Sequence, residues 1–364
     1  MRVALLTPMK PPDHPVPSGD RTFARLIRDA LGRAGMRVET PSRLVSWRAK
    51  PEGLDALLDE ADREARRIAA MWRSDGPPGA ILTYHSYHKA PDLLGPRLAD
   101  AFRLPYAIVE ASRAPRRATG AWARHHALAD EALLRADAVG AVTAHDRVAL
   151  EAFVPGRVVA LPPFLDVAPF AGAHEGGGGS ALVSAAMMRA GRKAESVRVL
   201  AAVLERVRAR VPAARLAVAG DGAERAALEP MFPPGTFRGR LARADLAALF
   251  ARSDVFVWPA VDEPFGFVFL EAQAAGLPVV GGAARGVVDV VLDGETGLLA
   301  TPGDPAALAD AVVDLLTDPA RRAAMGMAAR AFAGSNDLRA GARRLGDLLA
   351  GAAAHRAGMA AVRS

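Results

Sequence analysis

Short apolar runs alternate with amphipathic stretches along the whole chain. The first run, residues 3–7, reads as a buried strand. A proline-rich loop follows (Pro8, Pro11, Pro12, Pro15, Pro17), and Ser18-Gly19-Asp20 then opens a helix. In that helix Phe23, Leu26, Ile27, Ala30 and Leu31 recur at spacings of three and four, and Gly35 stops it. The same reading predicts strands at 38–40, 80–83, 106–109, 138–142 and 158–161. Helices are predicted over 54–72, from Pro91, over 122–135 and near 146–153. After Pro162-Pro163 the alternation resumes. Strands are predicted at 182–187, 216–219, 255–258, 278–280 and 298–300, and helices at 194–210, from Ala223, and at 245–252, 268–275, 305–316, 319–333 and 338–354.

Strands separated by helices predict parallel sheets covered on both faces. The chain divides into a Rossmann-like α/β domain over 1–163, a linker over 164–180 and a second Rossmann-like domain over 181–337. The closing helix, about 338–364, is expected to pack back on the first domain. The linker contains His174-Glu175 followed by four glycines and Ser180, a composition expected to be conformationally free. In open α/β sheets ligands bind beyond the carboxyl ends of strands, so chemistry is sought there.

The 364 residues are 51% hydrophobic and 24% charged, enough for two cores. The absence of cysteine excludes disulfides, thiolate metal sites and cysteine nucleophiles. A formal charge of +6 is compatible with polyanionic partners, including an acidic membrane face. Pro8 interrupts the first apolar run, and no uncharged run approaches the ~18 residues of a membrane span, so a soluble, cytoplasmic protein is expected.

Candidate chemistry concentrates at strand ends. Asp262-Glu263-Pro264-Phe265-Gly266-Phe267-Val268-Phe269-Leu270-Glu271 follows the strand ending at Trp258. A carboxylate in the turn can accept hydrogen bonds from sugar hydroxyls, N–H groups at the helix start can meet phosphate, and a carboxylate two turns along can hold ribose hydroxyls. The plainer alternative is an acid at a helix start plus one solvated glutamate. Met188-Arg189-Ala190-Gly191-Arg192-Lys193 offers cations for a departing diphosphate, or a solvated basic turn. Ser18-Gly19-Asp20 reads as a helix cap or a phosphate contact. Thr83-Tyr84-His85-Ser86-Tyr87-His88 and Glu110-Ala111-Ser112 end two further strands.

The segment around Glu263 and Glu271 resembles the E-x7-E signature of the retaining nucleotide-sugar glycosyltransferases of family 4. The similarity continues through 272–280, 293–299, Gly239-Arg240-Leu241 and 245–250, covering most of 180–320. This resemblance implies the GT-B architecture, with two Rossmann-like domains facing across a cleft. It implies a nucleotide-sugar donor, a glycan, lipid or small-molecule acceptor, no nucleic acid, no metal and no cofactor. It places catalytic roles on Glu263, Lys193, Arg189 and His85. Donor binding falls to Gly19, Glu271, Phe265, Gly266, Phe267, Val268 and Arg240, with Arg192 able to replace either cation. The chain departs from the family at Arg285-Gly286-Val287-Val288-Asp289, where a Gly-Gly-x-x-Glu turn is usual. Rival readings are a sugar-nucleotide 2-epimerase and a non-catalytic nucleotide-sugar binder. A dehydrogenase is disfavoured because no G-x-G-x-x-G follows the first strand.

Overall fold

The computed structural model describes all residues except Pro17, Ala173, Phe265, Arg363 and Ser364. It divides into two compact units. Unit 1 comprises Met1–Pro162 with Leu338–Ser364, and unit 2 comprises Pro163–Asp337.

Among the described residues, unit 1 is built on six parallel strands: β1 (Arg2–Leu6), β2 (Arg37–Glu39), β3 (Ala80–Ser86), β4 (Tyr106–Ala111), β5 (Ala138–Ala141) and β6 (Val158–Ala160), ordered β2-β1-β3-β4-β5-β6. The helices between them are α1 (Gly19–Arg33), α2 (Leu54–Asp75), α3 (Gly95–Phe102), α4 (Ala123–Arg135) and α5 (Ala144–Phe153). Every residue of β4 is buried, as a central strand covered on both faces requires. In α1 the apolar stripe Phe23, Leu26, Ile27, Ala30 and Leu31 is buried, and the Ser18 side chain caps its start by accepting from Arg21 N–H.

Unit 2 repeats the design with β7 (Ala181–Ala185), α6 (Arg192–Arg210), β8 (Arg215–Ala219), α7 (Arg225–Leu228), β9 (Phe237–Gly239), α8 (Arg243–Ala251), β10 (Val255–Trp258), α9 (Phe267–Ala274), β11 (Val279–Gly282) and β12 (Gly297–Ala300). Helices α10 (Pro305–Thr317) and α11 (Pro319–Ser335) complete it. Its parallel sheet is ordered β12-β11-β10-β7-β8-β9. The last helix, α12 (Leu338–Val362), packs on α1, β3, β4 and β5 of unit 1.

Several local expectations are corrected. The helix expected from Pro91 begins at Gly95. Buried Asp92 instead forms a turn, its carboxylate accepting from Leu94 and Gly95 N–H and from the Thr83 and Tyr106 hydroxyls. The helix expected from Ala223 is a single turn, Arg225–Leu228, followed by a 3-10 turn over Glu229–Met231. The short edge strand β9 gave no apolar run to detect. The helix expected from Trp122 starts at Ala123, after a 3-10 turn over Gly120–Trp122. The glycine run before β7 is tied down: Asp254 accepts from Gly177 and Ala181 N–H at 3.0 and 2.8 Å. A side chain at Gly177 would lie 2.7 Å from that carboxylate.

Candidate functional site

In unit 2 the site grows from the end of β10. Trp258 is buried, and Ala260 beyond it adopts a left-handed conformation (φ 48°) that turns the chain toward Glu263. The Glu263 carboxylate receives two donors on one oxygen: the Lys193 ammonium from the first turn of α6, and the Trp258 indole N–H at 3.1 Å. Lys193 also lies 5.5 Å from the centre of the Trp258 ring. The backbone is clamped as well. Ser196 of α6 accepts from Val261 N–H at 3.1 Å, and the Glu263 carbonyl accepts from Gly286 N–H at 3.2 Å. The departing turn at 285–289 therefore braces the acid.

Gly266 opens α9 in a left-handed conformation (φ 65°), which glycine adopts without steric cost. Phe267 and Val268 are half-buried on the first turn of α9, while Phe265 lies outside the described residues. Glu271, two turns along, is half-buried. Its burial pushes the carboxyl up to about 7, against the opposing field of Arg243. Arg243 is itself fixed, donating to the Asp166 carbonyl at 2.9 Å and lying 5.3 Å from the Phe170 ring centre.

The remaining basic candidates are more peripheral. Arg189 is exposed on the turn before α6, its carbonyl accepting from Ala194 N–H at 3.1 Å. Arg192 is exposed and pairs with Glu195 at 2.8 Å. Arg240 is exposed just past β9, beyond the left-handed Gly239 (φ 68°). The structure thus brings Lys193 and Glu263 together, and it places Arg192 in a local surface pair.

In unit 1, Gly19 is exposed at the start of α1 with open space where a side chain would stand. His85 sits at the carboxyl end of β3, its Nδ1 3.1 Å from Asp20 and 3.3 Å from Glu110. Burial pulls His85 down, but the Glu110 and Asp20 carboxylates outweigh it and the net shift is upward. Burial also pushes Glu110 up to about 8. Three side chains of these sites were not selected from the sequence as partners: Trp258, Arg243 and Asp20. The first two stand in ordinary strand and helix positions. Asp20 lies 65 residues from His85, beyond the reach of any local pattern.

Both sheets, with their helices, are shared with solved structures. Sucrose-phosphate synthase from Thermosynechococcus elongatus superposes with a TM-score of 0.73 at 23% identity, covering 95% of this chain and 98% of that one. HepE of Anabaena, in complex with UDP-glucose, superposes at 0.68 and 17% identity, covering 96% and 99%. The chain has the GT-B fold of two Rossmann-like domains. Residues 181–318 match the family model described as glycosyl transferases group 1. This GT-B chain is 38% identical over 167 residues to a GDP-mannose-dependent phosphatidylinositol monomannoside mannosyltransferase of Mycolicibacterium smegmatis, which covers 42% of this chain and 44% of that protein. It is 37% identical over 148 residues to the sulfoquinovosyl transferase of Arabidopsis thaliana, covering 39% and 29%. The GT-B chain therefore spans less than half the length of these two curated relatives.

Proposed function

We propose that the protein is a glycosyltransferase that moves a sugar from a nucleotide-diphosphate donor to an acceptor hydroxyl, with retention at the anomeric carbon and without metal or cofactor. The observation that carries this reading is the Lys193–Glu263 pair braced by Trp258, within the segment that matches the group 1 family.

In this mechanism the bond from the anomeric carbon to phosphate breaks as the acceptor oxygen bonds to the same face, and the acceptor proton passes to the leaving phosphate. The ammonium of Lys193 has three N–H donors, so it can keep Glu263 and still meet a diphosphate oxygen. Fixed positive charge that meets developing negative charge lowers the barrier to bond cleavage. Arg189 adds to that field. Glu263 orients the sugar through its hydroxyls and is no covalent nucleophile in this scheme. Gly266, Phe267 and Val268 at the start of α9 address phosphate, and Glu271 accepts from ribose hydroxyls. Arg240 and Gly19 contact the donor, and His85 hydrogen-bonds a sugar hydroxyl. No Asp-x-Asp occurs in the sequence, which supports charge neutralisation by these groups in place of a divalent ion.

The relatives named above are sugar transferases, which disfavours the epimerase. The acceptor is a glycan, lipid or small molecule. No helix among the described residues is long and apolar enough to cross a membrane. We place the protein in the cytoplasm, with peripheral contact at the inner membrane face open to its basic surface.

A panel of nucleotide sugars tests the proposal. Thermal shift identifies the donor, since a bound ligand raises the melting temperature by mass action. Product analysis with chelator present then reports transfer and anomeric configuration. A donor that binds but is neither transferred nor hydrolysed would favour the non-catalytic binder. Conversion without an acceptor to an isomeric sugar nucleotide would favour the epimerase.

A further inference from the structure

Strands β3 and β4 leave regular geometry on the same rung. Tyr84 pairs with Val109 and Ser86 with Ala111, while between them His85 and Glu110 both take left-handed backbone conformations, φ 63° and 59°. Each such conformation is strained for an L residue and persists only where its surroundings enforce it. Two side by side at the carboxyl edge of a parallel sheet stand where ligands bind in this class of fold.

The side chains give this backbone geometry a purpose. Asp20 from the first turn of α1 and Glu110 from β4 approach the same nitrogen, Nδ1 of His85, at 3.1 and 3.3 Å. Glu110 is only 6% exposed, and the buried Tyr84 phenol interacts with its carboxyl group. The His85 side chain keeps 15% exposure, and with Nδ1 engaged, Nε2 is the nitrogen left for a ligand.

We propose that Asp20 and Glu110 are positioning residues that fix the proton of His85 on Nδ1 and keep the ring cationic, so that Nε2–H is a charged donor to a hydroxyl or phosphate oxygen of the substrate. This rests on the glycosyl-transfer reading for the identity of the substrate, but the state of the ring does not. The groups facing the imidazole agree in sign. The carboxylates of Asp20 and Asp146, on α1 and α5, favour its charged form, and so does Glu110 on β4 in its ionised form, although burial pushes that carboxyl up to about 8. The adjacent Tyr84 and Tyr87 phenols are pushed up by burial and stay neutral. Lys10 acts on Asp20, which remains ionised because the His85 contacts outweigh its desolvation.

The test is imidazole nitrogen NMR on the full chain without ligand, with His85 assigned through His85→Gln. The expected result is a proton retained on Nδ1 and a titration above the ordinary histidine value of about 6.5. In Glu110→Gln and in Asp20→Asn the midpoint moves down. With donor and acceptor, kcat in both variants falls roughly 10–100-fold, as for other partners that orient a functional histidine, and its alkaline limb moves to lower pH while donor KM stays within about threefold. A wild-type ring protonated on Nε2 alone, or one whose titration ignores both substitutions, overturns the proposal. Asp20→Asn, at a helix start, carries the test if Glu110→Gln does not fold. A wild-type protein that transfers no sugar would remove the enzymatic reading, while the spectra still decide the positioning role.

Discussion

Lys193 and Glu263 lie 70 residues apart in sequence and form an ion pair at the end of β10, with the Trp258 indole donating to the same carboxylate oxygen. The pair is partly shielded: the Glu263 side chain is 11% exposed and that of Lys193 30%. A charge pair built around one buried indole holds both groups in fixed orientation before a ligand arrives. Preorganisation of this kind is where an enzyme gains over water.

Loss of either partner should therefore cost turnover more than folding. Lys193→Ala and Glu263→Ala are each expected to reduce transfer kcat by ~10²–10³. The double variant should lose far less than the product of the two, because the residues act as a unit. Steady-state kinetics with circular dichroism as the folding control checks this. Two single variants at wild-type turnover would remove the site assignment.

Glu271 should impose a pH dependence on donor binding. Its carboxyl is pushed up to about 7 by burial, and only the ionised form accepts hydrogen bonds on both oxygens from ribose hydroxyls. Donor KM is expected to fall as pH rises from about 6 to about 8. In Glu271→Gln the KM is higher and nearly flat over that interval. A wild-type KM that rises with pH would contradict the assignment.

His88 should make unit 1 acid-sensitive. Its ring lies 5.4 Å from Trp122 and 5.3 Å from Tyr87, with both nitrogens buried and without hydrogen-bond partners among the described residues. Burial, with Arg117, Lys89, His126 and His125 adding to it, holds its titration down to about 4. The folded state thus prefers the neutral ring. The stabilisation is complete above about pH 6.5 and is lost as pH falls through about 4. Melting temperatures across that range should drop less in His88→Phe than in wild type. Parallel profiles would refute the attribution.

Gly266→Ala probes the start of α9. The added methyl would meet Phe269 at 3.0 Å and Val290 at 3.2 Å, on a backbone with φ 65° that alanine adopts poorly. A loss of about 1–2 kcal/mol is expected, seen as a lower melting temperature. Donor KM should rise as well, since the turn that presents α9 to phosphate is displaced. Unchanged stability and KM together would show that the left-handed turn is dispensable.

The sequence carried the architecture well because parallel strands buried on both faces are nearly pure apolar runs, as in β4 and β10. It failed where order depends on a distant polar group. Asp92 delays α3 through four hydrogen bonds, and Asp254 fastens a glycine run whose composition reads as free chain. At the site, Glu263, Lys193 and Glu271 could be nominated from local pattern. Their partners could not: Trp258 is one more aromatic in a buried strand until the turn brings Glu263 back to its indole N–H. Asp20 looked like part of a helix cap, and only the order of β1 and β3 in the sheet sets it against His85.

Helix α12 carries a constraint on biogenesis. Leu345, Leu348 and Leu349 of this helix are buried, Leu348 lies against Gly140 of β5, and His355 reaches Asp137 at 3.3 Å. The sheet they cover is made by residues translated first, while unit 2 is one uninterrupted stretch. During vectorial synthesis unit 2 can close as soon as it emerges, but the nascent first unit must wait with an uncovered apolar face until residue 338 and beyond are released. The unit made first is thus the one finished last, and its bare face is what a chaperone would need to shield in the meantime.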